Sequence, residues 1–372
     1  LYGRFSMSKA AELANLIGNI NAGGGGVNRN FIINGAMNVA QRGTSLAAVA
    51  NNDYTLDKFQ FTYSQDGAFT VTQDSSSPDG FANSLKVDVT TADTSLATSH
   101  YLVMEHKIEA QNLQQLQFGK SGAKNITLSF YVKSNKTGTY AVNIIQSDNS
   151  SKMANLTYTI DSADTWERKS LTFTGDTSGV INDDNGIGLK ATFSLSLGSN
   201  WTSGDTSASF RTFVAGNYGA GQAVNILDST SNEWLITGVQ LEVGQNATEF
   251  EHEPFEKTLR KCQRYYRQFS SNDSGNSYTR IGIGVAQSNT TAVVQTVLSP
   301  EMRATPSVST TGQLQAYNGS NLQDCDTAID AGAAPYFGLI GISNTSGFSV
   351  TQPVELVCKS GANNIFALAA EL

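Results

Sequence analysis

An all-β fold in two parts is what this sequence predicts, and three observations carry it. Charged residues make up only 15 % of the 372 positions, against about 25 % in an average soluble domain. Short apolar stretches separated by clusters of Asn, Asp, Gly and Ser run along most of the chain, the texture of sandwiches and barrels in which every hairpin needs turn residues. At roughly 100 to 200 residues per domain, this length gives two large domains, or one with satellites. The expected architecture is a short N-terminal helix with a glycine hinge (1–27), a large antiparallel jelly-roll sandwich (28–253), a short amphipathic linking helix (254–269) and a smaller C-terminal β-sandwich (270–372).

At the N-terminus, Ser8 offers an N-cap and Glu12 an early carboxylate, and Leu13, Ile17 and Ile20 follow at helical spacing. A helix this short needs a partner surface. Tethered by Gly23-Gly24-Gly25-Gly26, it reads either as an attachment peg, with Leu13, Ile17 and Ile20 as its contact residues, or as a frayed terminus.

Strand then follows strand. Phe59 to Tyr63, Leu85 to Val89, Ile126 to Val132, Tyr140 to Ile144, Leu156 to Ile160, Leu171 to Phe173 and Ala191 to Leu197 alternate or run apolar. Leu235 to Val243 closes the series, with Gly238 suited to a bulge or to close packing. With no helices between them, these strands imply two packed antiparallel sheets, most simply a jelly roll.

The texture changes at Glu249, Glu251, Glu253 and Glu256, which precede Lys257, Arg260, Lys261, Arg264 and Arg267 with Pro254 between the blocks. Acid before base suits a helix dipole, and Pro suits a first turn. Phe255, Leu259, Cys262, Tyr266 and Phe269 then fall at seam spacing over Pro254 to Phe269. Such a face either packs on a neighbouring β domain or meets other copies; the second reading predicts a homotrimer with these five residues near its axis. Beyond it, short apolar runs from Ile281 to Leu368 read as a second, compact sandwich.

Composition limits the function. A net charge of −8 repels a phosphate backbone, so nucleic acid is not an expected partner. There is no run of 18 apolar residues and no signal-like order near the N-terminus, so neither a membrane span nor Sec-type export is expected. Cys262, Cys325 and Cys358 are distant from one another and read as free thiols.

No catalytic motif stands out. Gly119-Lys120-Ser121 has Gln114 where a P-loop needs glycine, and Gly282-Ile283-Gly284 lacks a third glycine. The histidines His100, His106 and His252 show no metal-ligand spacing, and His252 reads as a solvated residue. Asn182-Asp183-Asp184-Asn185-Gly186 reads as a turn rather than a Ca²⁺ loop. No enzyme, cofactor or metal is therefore expected.

Glycan binding asks for an aromatic plate with polar groups beside it. Trp201, Asp205, Arg211, Asn217 and Tyr218, in a long stretch poor in strand pattern, form the main candidate set. The competing reading has Trp201 and Tyr218 plugging one end of the sandwich. Tyr317, Tyr336 and Phe337 are candidates in the last domain.

Several motifs together resemble one family. Asn30-Phe31-Ile32-Ile33-Asn34-Gly35-Ala36-Met37-Asn38-Val39-Ala40-Gln41-Arg42-Gly43-Thr44 and Tyr54-Thr55-Leu56-Asp57-Lys58-Phe59 are similar to the opening of bacteriophage tail-fibre and related virion appendage proteins. Gly238 to Gly244, Ala247 to Glu251 and Cys262-Gln263-Arg264-Tyr265-Tyr266 resemble that family's junction between a carbohydrate-binding-like jelly roll and a distal domain. Met302 to Pro306 and the ending Ala370-Glu371-Leu372 are similar too. The resemblance implies a virion component, often trimeric, assembled in the host cytoplasm. It would be attached to other virion proteins by the N-terminal helix and directed at a host surface glycan or receptor. A purely structural virion protein (a tail adaptor or capsid decoration) and a polysaccharide depolymerase are the alternatives. The Trp201 stretch matches no family motif, so the resemblance assigns no sugar contact.

Overall fold

The structure, a computed structural model, describes residues 9–11, 13–14, 17, 29–148, 151–271, 278–329, 334–343, 346–361 and 364–372. The chain is nearly all β and divides into two compact units, residues up to Phe255 together with Leu372, and Glu256 to Glu371.

The first unit holds β1 (Ser45–Leu46), β2 (Phe59–Ser64), β3 (Ala68–Asp74), β4 (Ser84–Thr91), β5 (Tyr101–Glu109) and β6 (Ile126–Ser134). It continues with β7 (Gly138–Gln146), β8 (Lys152–Ile160), β9 (Glu167–Phe173), β10 (Ile187–Leu197), β11 (Ser207–Arg211) and β12 (Glu233–Val243). They form two six-stranded sheets, ordered β1-β3-β4-β12-β6-β9 and β11-β8-β7-β10-β5-β2. Alternate residues of both sheets meet in one core: Phe69, Leu85, Val87, Phe130 and Trp234 from the first, Phe59, Phe61, Met104, Tyr140 and Phe193 from the second. This is the sandwich that the alternating strands predict.

The family-like motifs turn out to be joined in space. Asn34 Nδ2 donates to Val39 O at 2.9 Å and Asp57 O at 3.1 Å. Asp57 Oδ2 accepts from Gln41 N at 2.7 Å. Asn30 Oδ1 accepts from Leu241 N at 3.1 Å, and Gly35 O accepts from Val239 N at 2.9 Å. The opening segment is thus sewn onto the last strand by buried polar groups, each given a partner as burial demands.

Gly238 fulfils both roles expected of it. Pairing of β12 with β6 shifts register between Thr237 and Gln240, and Gly238 has φ +62° in the left-handed region. A Cβ there would lie 2.8 Å from Phe81 Cζ and 2.9 Å from Tyr131 Cδ2. Gly238→Ala is therefore expected to lose about 1–3 kcal/mol of stability, read as a lower denaturation midpoint for the first unit with the strand signature retained.

Helix α1 (Phe255–Gln263) begins on the last residue before the second unit and otherwise belongs to that unit. The unit's strands are β13 (Tyr266–Ser270), β14 (Thr279–Ala286), β15 (Thr291–Val297), β16 (Ser307–Thr311), β17 (Leu314–Tyr317), β18 (Leu322–Ile329), β19 (Phe337–Ser343), β20 (Pro353–Cys358) and β21 (Ile365–Ala369). The larger sheet rolls shut as a barrel, β14-β15-β19-β18-β17-β20, and a three-stranded sheet, β13-β21-β16, accompanies it. Ile281, Val294, Leu314, Ile340, Leu356 and Phe366 share its core.

The helix expected over Pro254 to Phe269 is shorter, and the seam does not exist as one helical face. Of its five residues, Phe255, Leu259 and Cys262 lie on α1, whereas Tyr266 and Phe269 lie on β13, paired with β21 in the register Tyr266 to Ala369 and Phe269 to Phe366. Tyr-Arg-Gln-Phe-Ser is rich in strand-favouring aromatics, and the ladder to β21 satisfies backbone groups that one more helical turn would have left to solvent. Cys262 and Tyr266 are buried within the unit and Phe255 is exposed. Of the N-terminal peg, the described residues are helical, with Leu13 and Ile17 exposed; Ile20 and the glycine hinge lie outside the described residues. The three cysteines are buried and none forms a disulfide with another.

Candidate functional site

The outer face of the second sheet of the first unit carries a cleft. On β5, Leu102, Met104 and Ile108 point into the core, so Tyr101, Val103, Glu105 and Lys107 point outward, where they line a cavity of about 490 Å³. Gln60 and Thr62 of β2 and Lys190 of β10 lie on the same face. The excursion between β10 and β12 folds back over the rest of that face and supplies Trp201, Phe213 and Tyr218.

An apolar patch of Val103, Ile145, Met153, Leu197 and Tyr218 anchors the excursion, with Tyr101, Trp201 and Phe213 packed against it. Trp201 stands edge-on to Tyr101 at 5.5 Å and to Tyr218 at 5.8 Å. Its Nε1 donates to Ser99 O at 3.0 Å. Tyr218 is nearly buried; burial first, then the neighbouring Glu105, pushes its hydroxyl above the ordinary tyrosine range, while its hydrogen bond to Thr192 opposes the shift.

Asn155, fully buried on β8, fastens the far side of the excursion. Its Nδ2 donates to Asp205 O at 3.2 Å and Asn217 O at 2.7 Å. Its Oδ1 accepts from Ser207 N at 3.2 Å and Arg211 at 3.0 Å. Arg211 also donates to Asp205 O, and Asn217 Oδ1 accepts from Asp205 N at 2.9 Å. The candidate set therefore splits. Trp201 and Tyr218 reach the cleft, whereas Asp205, Arg211 and Asn217 bond with one another and with Asn155 and do not line it, because a buried amide needs its partners. Tyr218 is buried in the apolar patch on the outer face of the second sheet, with Trp201 packed against that patch, and neither residue belongs to the core between the sheets.

The polar groups facing the cleft come from the sheet itself. Gln60 is 6 % exposed; its Nε2 donates to Asn52 O at 2.8 Å, but its Oε1 is buried without a hydrogen-bond partner. Gln60 sits directly across from Glu105 in the strand register. Glu105 is buried and lies 3.5 Å from Lys190 Nζ. An unpartnered buried acceptor, a paired carboxylate and an ammonium beside aromatic rings make a surface suited to a ligand that is both hydroxylated and flat-faced.

In the second unit, a polar groove of about 980 Å³ is lined by Gln315, Asp324, Asp326 and Lys359 among others. Neither Tyr317 nor Tyr336 lines it: Tyr317 donates to Gly319 O at 2.9 Å within its own turn, and Tyr336 is exposed; the third tip candidate, Phe337, opens β19. The 182–186 segment is a turn. Asp184 Oδ1 accepts from Gly186 N at 2.8 Å, and Asn182 N donates to Asp148 Oδ2 at 3.0 Å. His252 is exposed, as expected, and lies against Phe81 and Phe250.

No protein family and no curated protein matches the sequence. Among solved structures, the bacteriophage CBA120 tailspike protein 4 enzymatically active domain aligns at 14 % identity and TM-score 0.30, over 58 % of this chain and 21 % of its own. This chain thus spans about a fifth of that tailspike domain's length. A putative sugar-binding protein from Bacteroides thetaiotaomicron aligns at 14 % identity and TM-score 0.31, over 57 % of this chain and 99 % of its own. A family 11 carbohydrate-binding module from Clostridium thermocellum aligns at 12 % identity and TM-score 0.28, over 56 % and 98 %.

Proposed function

We propose that the first unit binds a glycan in the cleft over β2, β5 and β10, and that the chain serves in a phage tail fibre or virion appendage that engages a host surface. The observation that carries the first part is the buried, unpartnered Gln60 Oε1 set across from Glu105 in the same cleft that the Tyr101 and Trp201 rings line. Leaving such an oxygen unbonded costs roughly 1–3 kcal/mol, and a sugar hydroxyl is the donor that removes the deficit. The rings offer an apolar face for the sugar's C–H side. The second part is supported by the tail-fibre-like motifs at Asn30 to Thr44, Tyr54 to Phe59 and Gly238 to Glu251. Copies assembled as a homotrimer would gain from avidity even where each cleft binds weakly.

The test is titration of the full chain with host surface polysaccharides and their oligosaccharides. Saturable binding is expected, weakened about tenfold or more by Trp201→Ala and left intact by Tyr336→Ala in the second unit. The ligand is expected to be recovered uncleaved, without new reducing ends. Absence of binding across natural hosts, or affinity indifferent to Trp201→Ala, would sink the glycan reading.

A further inference from the structure

Next to the cleft, in the loops rather than on the sheet, lies a separate group of side chains. Asp66 sits in the turn between β2 and β3, and Asp93 and His100 lie in the connection from β4 to β5. One carboxylate oxygen of each Asp and one ring nitrogen of His100 lie within 4.8 Å of one another, the one such group of His, Cys, Asp or Glu among the described residues. His100 Nδ1 stands 3.2 Å from Asp93 Oδ2. Two donors held about 2.0–2.1 Å from a tetrahedral ion stand about 3.3 Å apart, so this pair already has the spacing of neighbouring ligands.

The framework is fixed before any ion arrives. Asp93 is 5 % exposed; its N–H donates to Leu227 O at 2.8 Å and its carbonyl accepts from Asn225 Nδ2 at 3.0 Å. His100 N donates to Ala97 O at 3.0 Å, and His100 O accepts from Gly198 N at 2.8 Å. Asp66 N donates to Asp93 Oδ2 at 3.4 Å, which brings the exposed Asp66 turn over the pair.

A second, independent sign is Gln65. Both of its amide atoms are buried and neither has a hydrogen-bond partner. Its Oε1 lies 2.9 Å, and Asp93 N 3.4 Å, from the point a Cβ on Gly67 would occupy. A buried amide with nothing to bond is costly, and an ion-bound water beside Asp93 would supply the missing donor.

We propose that Asp66, Asp93 and His100 form a site for a divalent cation of the zinc class, with water completing its shell. Two carboxylates balance the ion's charge. The imidazole nitrogen sets the class, because it suits zinc and its neighbours in the transition series, whereas Ca²⁺ takes six to eight oxygens. The ion would tie the β2–β3 turn to the segment that carries Ser99 and Tyr101, the two residues against which Trp201 is placed.

Calorimetric titration of the full chain, stripped beforehand with a chelator, tests this with Zn²⁺ and Ca²⁺ in separate runs. The expected result is one Zn²⁺ per chain, with Ca²⁺ bound at least about tenfold more weakly. His100→Ala and Asp66→Asn are each expected to lower Zn²⁺ affinity at least about tenfold, the smallest loss seen even for residues behind a ligand. Asp66 is exposed on its turn, so Asp66→Asn reports on the site even where His100→Ala disturbs folding. Absence of Zn²⁺ binding, Zn²⁺ affinity that Asp66→Asn leaves unchanged, or preference for Ca²⁺ would overturn the proposal. None of these outcomes depends on whether the cleft binds a glycan.

Discussion

Trp234→Ala is expected to remove about 3–5 kcal/mol from the first unit, much of the 5–15 kcal/mol that stabilises a typical domain. Trp234 is fully buried on β12, in the middle of its sheet. Its Nε1 donates to Tyr158 Oη at 3.2 Å across the core. Around it, Phe130 meets Tyr158 at 5.0 Å and Phe193 at 5.1 Å, and Tyr140 stacks on Tyr158 at 5.4 Å. Alanine would leave a cavity between the sheets and take away the partner of a buried hydroxyl, and the two losses add because they concern different atoms. Trp234→Phe keeps most of the volume and is expected to lose about 1–2 kcal/mol. Chemical unfolding followed by circular dichroism, with the transition of each unit fitted separately, checks the order: wild type, then Phe, then Ala. A midpoint for Trp234→Ala close to wild type would contradict the described core.

Acidification should weaken the same unit well before its carboxylates titrate. His106 is fully buried on β5, across from Phe59 of β2 in the strand register, with the two rings edge-on at 5.2 Å, and Ile33 N donates to its Nε2 at 3.1 Å. Burial first, and then the charge of Lys58, lower its pKa from 6.5 to about 3, against weaker opposing backbone hydrogen bonds. The folded ring is therefore neutral in the range where an unfolded one takes up a proton. The stability this represents is complete above the unfolded value of 6.5 and is lost as pH falls through the interval down to about 3. At about 1.4 kcal/mol per pH unit, the loss at about pH 4.5 is about 2–3 kcal/mol. His106→Gln, which cannot charge, is expected to flatten that slope even where it lowers the plateau. Equal slopes for the two proteins between about pH 6 and pH 4 would remove His106 as the cause.

Much of the fold was readable because burial on one face of a strand leaves a period of two. Leu85 to Val89 and Ile126 to Val132 became β4 and β6 nearly as marked. Tyr101–Glu109 lacks that period for the opposite reason: Val103 lies under the excursion while Leu102 and Met104 lie in the core, so both faces are apolar over its first four residues and the alternation disappears there. The sequence favours a longer helix than the one that forms, because charge and spacing at Arg264 to Phe269 satisfy a helical template, while the deciding partner, β21, is about a hundred residues away. Trp201 and Tyr218 could be found as aromatics in a long loop. Gln60 and Glu105 could not, since what makes them neighbours is the register of β2 on β5. Asp66, Asp93 and His100 come together only once two loops are placed side by side.

The position of β12 also governs how the chain can fold as it is made. It is the last strand of its unit to leave the ribosome, yet it lies between β4 and β6, and its neighbours Asn30 and Gly35 have waited more than two hundred residues for it. Until then the nascent sheet is two separate pieces, β1-β3-β4 and β6-β9, each with an unpaired edge facing the other. Closure is a late, long-range event, so this unit should fold slowly and only after its whole length has emerged. Truncations before Val243 would leave those edges open, a state in which copies pair with one another instead of with the missing strand.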